Sequence, residues 1–289
     1  MIISVNWLKK FVSDLPDIGE LSKLIGARLV EIESIENLGE KYKDIAKVVS
    51  ARKVENSDHL NLCKIDDGGA RKNIARDEDG LIQVVCGAPN VRAGIFVAWL
   101  PPESIVPETF GGENFKLGAR KLMGHMSNGM IASLRELGLG EEHDGILEIS
   151  PEVFENGIQA GDSFAEKFEL NDFLLEVENK SLTHRPDCFG IIGFAREVAG
   201  ILGQKFKNPD WYFERENQSS KAANIEVEIK DSGICEKYSA VILDASKILK
   251  NSALTVEKTY LLRSGMRPVD MITDLANELM LESAQPLHT

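Results

Sequence analysis

The sequence predicts an α+β protein of several domains, in which a small β-barrel interrupts a mixed α/β body and a further α/β module follows. Three observations carry that prediction. The chain has 289 residues, enough for about two or three domains at roughly 100–200 residues each. From Asp44 to Ile149 the texture is short β-rich runs separated by turn chemistry, while both flanks show helical spacing. A polar stretch, 204–223, then precedes a second mixture of strand-like and helix-like segments.

Residues 6–12 read as a short helix or turn, and Leu21, Leu24, Ile25 and Leu29 recur near helical spacing over 19–29. Apolar and acidic residues alternate over 29–38 as in a half-buried strand, and the polar stretch 39–43 reads as a linker. The runs IAKVVSARKV, LNLCKI, LIQVVCGA and GIFVAWL are β-rich, and DDGG, DEDG, GAPN and FGG supply turns. SLRELGLG (133–140) reads as a short helix closed by glycine, and GILEI (145–149) as a last strand. About five strands in about 100 residues suit an OB-type barrel, a common host for single-stranded nucleic acid. Beyond Pro151, FLLEVENK (173–180) is strand-like, and SLTHRPD is an extended connector because the residue before proline avoids helix. Asp187 is placed to cap a helix over 188–202, which Gly203 would end. IEVEI (225–229) and YSAVIL (238–243) read as strands, and helices are expected over 253–263 and 270–281. The motif-like ending QPLHT predicts a chain that continues beyond Thr289.

Apolar residues make up 43% of the chain and charged residues 27%, which excludes wholesale disorder and a fibrous repeat. No apolar run reaches the roughly 18–20 residues that cross a bilayer, and the N-terminus lacks the apolar centre of a signal peptide. Cys63, Cys86, Cys188 and Cys235 lie far apart with no CxxC pair, which argues against a disulfide scaffold or four-cysteine zinc site and fits a reducing cytoplasm. Net charge is −13, whereas proteins that live by broad phosphate neutralisation are usually basic. The acid excess is uneven. Lys41, Lys43, Lys47, Arg52 and Lys53 stand against Asp44 alone, and Lys116, Arg120 and Lys121 lie in a stretch, 114–127, without an acid. Nucleic acid, if it binds, is expected on this block; the plain alternative is two solvated strand faces.

The common protease, P-loop, hydrolase and dinucleotide fingerprints are absent. His59 and Cys63 would share a metal on a helix, but LNLCKI reads as strand. Residues 141–144 read as an exposed turn, and His184, Arg185 and Asp187 as connector and cap rather than an acid–base set. Cys86–Asn90 ends a strand in a rigid Gly-x-Pro-Asn loop of the kind that shapes a barrel's ligand groove. Ser127–Met130 is a second tight turn, placed to set Arg120 and Lys121 beside the loop after Val85. Trp99 reads as core rather than as a stacking platform.

QVVCGAPNVRAG (83–94), FKLGARKLMGHMSNGM (115–130) and ELGLGEEHDGILEI (136–149) resemble the tRNA-binding OB domain in the β subunit of bacterial phenylalanyl-tRNA synthetase. SVNWLKKFV (4–12) and NKSLTHRPDCFGIIGFAREVAGILG (179–203) resemble that subunit's N-terminal domain, which wraps around the inserted OB module. YSAVILDASKI (238–248) and LLRSGMRPVDMITDLANELMLESAQPLH (261–288) resemble the opening of its editing domain. The resemblance implies a discontinuous N-terminal domain (1–40 with 151–203), a tRNA-binding OB domain (41–150), a linker (204–223) and the truncated start of an editing domain (224–289). The sequence departs from the family pattern at His59, where a lysine is usual, and at Asn128 in the usual Ser-Glu-Gly-Met turn. It also inserts residues 71–80 and carries Met271 and Ala276 where asparagine and threonine are usual.

The resemblance further implies an (αβ)2 enzyme that attaches phenylalanine to tRNA(Phe) with ATP and Mg2+, adenylation belonging to the α subunit. This chain would contribute tRNA binding and assembly in the cytoplasm, and the whole subunit the editing of mischarged tRNA. By itself the chain would be inert, with no catalytic residue, cofactor or metal, and it would meet neither membrane nor DNA. Its expected tRNA contacts are Lys116, Arg120 and Lys121, with Lys47, Arg52 and Lys53 as a second strip and Asn90 shaping the groove. Asn277 and His288 match positions that line the family's editing pocket. Two other classes remain compatible with the sequence: a free-standing tRNA-binding or chaperone OB module, and a scaffold whose barrel no longer binds RNA.

Overall fold

The computed structural model describes residues 1–42, 45–54, 57–212, 227–238, 242 and 253–289. The strand expected over 225–229 is only partly inside that set, and most of 238–248 and of the 204–223 stretch lie outside it.

Strand β1 (Ile2–Ser4) runs straight into helix α1 (Val5–Lys9), because the Ser4 hydroxyl accepts from Trp7 N and caps it. Asp17 caps α2 (Ile18–Arg28) by accepting from Gly19 N and Glu20 N, and β2 (Ile32–Asn37) follows. The central block holds β3 (Ile45–Lys53), β4 (Asn61–Asp66), β5 (Ile82–Cys86), β6 (Phe96–Leu100), β7 (Ala119–Leu122), β8 (His125–Asn128), β9 (Met130–Ile131) and β10 (Glu148–Ile149). After it come α3 (Phe164–Lys167), β11 (Phe173–Val177), α4 (Ile191–Leu202), α5 (Val256–Arg263) and α6 (Met271–Ser283).

The architecture is mixed α/β with several small sheets. β11 sits between β1 and β2 in an antiparallel three-stranded sheet. Helices α1, α2 and α4 cover it, and Trp7, Leu8, Ile25, Leu175, Phe194 and Val198 form the core between them. The block makes a second sheet in the order β10-β6-β3-β4-β5, with β9 also on β6. Lys47 of β3 and Ile149 of β10 both lie opposite Phe96, so the block's first and last strands flank the same strand. Val48, Cys63, Val84, Val97, Trp99 and Ile131 fill its interior. A third core joins the two bodies, with Leu100, Leu117 and Leu137 meeting Phe164, Phe168 and Leu174.

Several expectations are corrected. Residues 133–140 form hydrogen-bonded turns, not a helix. Ser133 N and Oγ both donate to Glu136 Oε2, at 2.6 and 2.7 Å, and this local bonding competes with the helical ladder. The stretch 38–41 is a 3-10 turn rather than open linker, begun by the Asn37 side chain accepting from Gly39 N. β11 ends at Val177, because the Glu178 carboxylate accepts from Lys180 N and turns the chain. The following connector is not extended but built from 3-10 turns at Asn179–Leu182 and Pro186–Phe189. Asp187 does not cap α4; Gly190 does, without a side-chain bond. Asp187 instead pairs with Arg185 at 2.8 and 3.0 Å, and Arg185 reaches Glu197 at 2.6 Å. Gly203 ends α4 in the left-handed conformation, φ 66°, as expected. The first part of the polar stretch lies along the body: Phe206 stacks on Phe11 at 6.2 Å, and Lys207 N donates to Phe11 O at 2.8 Å.

Candidate nucleic-acid interface

β7 and β8 form an exposed hairpin closed by Met123 and Gly124, with φ of 45° and 85°. Positive φ at both loop residues gives the turn whose twist matches the strands. The hairpin register sets Arg120 opposite Ser127, Lys121 opposite Met126 and Leu122 opposite His125. Because strand side chains alternate, Arg120 and Leu122 share one face and Lys121 the other. The two cations that sequence reasoning grouped therefore act on different sides of one ribbon.

Side chains fix β8 against the edge of β5. Val85 N donates to Ser127 Oγ at 3.0 Å, Asn128 Nδ2 to Gln83 O at 3.1 Å, and Gln83 Nε2 to Met126 O at 2.8 Å. Asn128 O also accepts from Trp99 Nε1 at 3.0 Å, which accounts for the buried Trp99 as core. Gly129 then turns the chain from β8 to β9 at φ 78°, where a Cβ would collide with Leu100 O.

Between this hairpin and the end of β5 lies a cleft of about 450 Å³. Leu60, Val85, Phe115 and Leu122 give it apolar walls; Arg120, Glu136 and Asp144 bring charge. The Arg120 guanidinium lies 5.6 Å from the Phe115 ring centre. Asn90 stands behind one wall, its Nδ2 donating to Ile146 O at 2.9 Å and its Oδ1 accepting from Ile146 N at 3.0 Å. Asn90 thus holds the wall through its amide, and Gly145 is required there because a Cβ would meet that amide. Lys116 is exposed and paired with Glu103 at 2.5 Å. Arg52 and Lys53 are exposed on β3, while the Lys47 side chain lies outside the described residues. Strands β4 and β5 lie between that strip and the hairpin.

Other candidates are not drawn together. Cys63 is buried in the block's core, its thiol pushed up to about 12 by burial and then by Cys86, while His59 is exposed before β4. Among the described residues, no group of three or more His, Cys, Asp or Glu is placed to hold a metal ion. Asn277 is half-buried on α6 and His288 is exposed beyond it. A second cavity, about 600 Å³, lies between turn 134–142 and the C-terminal helices, lined by Arg135, Lys258, Arg267 and Asp274. Sequence reasoning missed Phe115 and Glu136 in the cleft; the one phenylalanine of the basic run 114–127, beside Lys116, was the available signal for the first.

No helix among the described residues is long and apolar enough to cross a membrane. A family described as "Putative tRNA binding domain" matches residues 44–159, the stretch that carries β3 to β10, the hairpin and the cleft. Proteins named phenylalanine–tRNA ligase beta subunit match all of this chain. The one from Desulfotalea psychrophila is 36% identical over 32% of its own length, and that from Oceanobacillus iheyensis 34% identical over 34%. The one from Symbiobacterium thermophilum is 33% identical over 30% of its own length. The chain spans about a third of the length of these relatives. Over all of its own length, therefore, the chain is similar to about a third of phenylalanine–tRNA ligase β subunits in extent and to their sequences at 33–36% identity.

Proposed function

We propose that this chain is the tRNA-binding and assembly part of a phenylalanine–tRNA ligase β subunit, working with an α subunit in an (αβ)2 complex that charges tRNA(Phe). One observation carries the reading: the match to a tRNA-binding family, 44–159, coincides with the block that bears the exposed hairpin and cleft. We read that block, 41–150, as an OB-type barrel inserted into a body made of 1–40 and 151–203. In support, β11 pairs with both β1 and β2, and β8 bonds to the free edge of β5 through side chains. Residues 224–289 are read as the opening of an editing domain, with Asn277 and His288 contributing to its pocket. ATP and Mg2+ belong in this reading to the complex; the described residues offer no metal-binding cluster, and no step is assigned to them.

RNA would run along the hairpin, with phosphates at Arg120 and Lys121 and a second strip at Lys47, Arg52 and Lys53. Lys116 joins only by giving up its pairing with Glu103. A tRNA(Phe) titration at several salt concentrations tests this. Each phosphate contact on a single strand adds about −0.7 to the log–log salt slope. R120A and K121A should each flatten the slope by about 0.7 and weaken binding across RNA sequences. A double variant that folds normally and keeps the parent's affinity and slope would overturn the reading.

A further inference from the structure

We propose that the cleft beside the β7–β8 hairpin takes a single unstacked guanine base of the RNA, with its face on Phe115 and its Watson–Crick edge on Glu136. This inference rests on the tRNA-binding reading above and names what enters the site.

Charge decides first which part of a nucleotide can enter. Among the described residues, Arg120 is the one lysine or arginine lining the cleft, and it stands at Phe115. Glu136 and Asp144 line the cleft as well. A phosphate pushed inside would meet carboxylates, so the backbone is held to the hairpin rim at Arg120, and the neutral base is what the cleft accepts. Its apolar walls and the half-exposed Phe115 suit a base face, which stacks on an aromatic side chain whatever its identity.

Glu136 then selects among bases. Its Oε2 is occupied by Ser133 N and Oγ, which lock the carboxylate in place. Its Oε1 has no partner among the described residues. That oxygen is not sealed away from solvent either, since Asp274 Oδ2 is the one side-chain polar atom among the described residues that is both buried and unpartnered. Glu136 lines the cleft together with Cys86 at the end of β5. An ionised carboxylate only accepts hydrogen bonds. Guanine presents two N–H donors side by side on its Watson–Crick edge, and both can converge on Glu136 Oε1. Adenine and cytosine set one amino group beside a ring acceptor, and uracil flanks a single N–H with carbonyls; each brings an acceptor against the carboxylate.

The test titrates the full chain with 5′-GMP, AMP, CMP and UMP, mapped by backbone amide shifts, and in parallel with tRNA(Phe). GMP should bind about tenfold tighter than the other three and shift the amides of Phe115, Ser133 and Gly145. E136Q keeps the side-chain shape and an oxygen for Ser133, and should bring the four nucleotides within about twofold of one another. F115A should weaken all four by roughly tenfold, and weaken tRNA without altering its salt slope, because no phosphate contact is lost. If the parent binds tRNA with the expected slope but binds all four nucleotides equally, or if GMP preference survives in E136Q, this inference alone is overturned. A parent that binds no tRNA at any salt overturns the proposed function together with the inference.

Discussion

Arg263 uses all five of its N–H groups. Nε donates to Thr259 O at 3.1 Å, Nη1 to Glu169 O at 2.9 Å and Asp172 Oδ2 at 2.8 Å, and Nη2 to Phe168 O at 3.1 Å and Thr259 Oγ1 at 2.8 Å. Asp172 is equally occupied, accepting from Ser4 Oγ at 2.5 Å and Asn6 N at 2.8 Å. Both side chains are buried. Removing one partner of such a pair strands the other charge, so R263A should cost about 3–5 kcal/mol in urea unfolding. R263K should recover little of that, since an ammonium cannot fill a planar fork. Glu278 makes an opposite case. Burial, then Glu257 and Glu282, push its carboxyl up to about 7, while Lys10 opposes them. A raised carboxyl means that the folded state holds its proton more tightly than the unfolded chain. The group therefore costs nothing at pH 4, and stability falls as pH rises from the usual carboxylate range to about 7. E278Q should melt with the parent at pH 4 and above it at pH 8.

The β5–β8 junction shows what an element gains from side chains standing in for a ladder. S127A would leave Val85 N without its partner, at about 1–3 kcal/mol, and amide exchange at Val85 should quicken first. The strands that flank this junction were legible in sequence. The LNLCKI and LIQVVCGA runs become β4 and β5 almost in register, because alternate residues such as Cys63, Ile65, Val84 and Cys86 face a core. Helix α4 was legible too, through its apolar face and Gly203. What escaped were positions decided by a partner far away or by a short-range competitor. The 133–140 stretch has helical composition, yet the Ser133–Glu136 bonds and Arg135 N donating to Glu142 O bend it into the cleft wall. Asp187 has the identity of a cap, but Arg185 claims it. Arg120 and Lys121 are adjacent in sequence and opposed in space, which follows from strand alternation once 119–122 is known to be a strand.

On the scale of the molecule, β11 is the piece on which both ends of the body depend. Leu175 is fully buried in the core that also takes Ile3, Trp7 and Ile25, so L175A should cost about 2–5 kcal/mol. Amides in β1 and β2 should lose protection together in that variant, measured by native-state hydrogen exchange. The charge of −13 also acts on this scale. Over a Debye length of about 8 Å at physiological salt it opposes RNA approaching the hairpin, so lowering the salt should help tRNA binding less than for a basic protein of equal contacts.

The placing of β3 and β10 on either side of β6 has a consequence for how the chain is made. Ser4 must wait for Asp172, 168 residues later, which at ribosomal speeds of about 5–20 residues per second is a delay of roughly 10–30 s. During that interval β1 and β2 have no strand to join. The intervening block has all of its own strands before β11 exists, and pairing β3 and β10 with β6 would bring its entry and exit to about 10 Å from each other, one strand spacing either side of β6. A long, floppy connection becomes a short clamp, and most of the loop-closure entropy is settled before β11 leaves the ribosome. A substitution confined to the block's own interior, such as V84A, would then delay the body's assembly although Val84 belongs to the block's core and not to the body's, and nascent chains would stay open to proteolysis at β1 and β2 for longer.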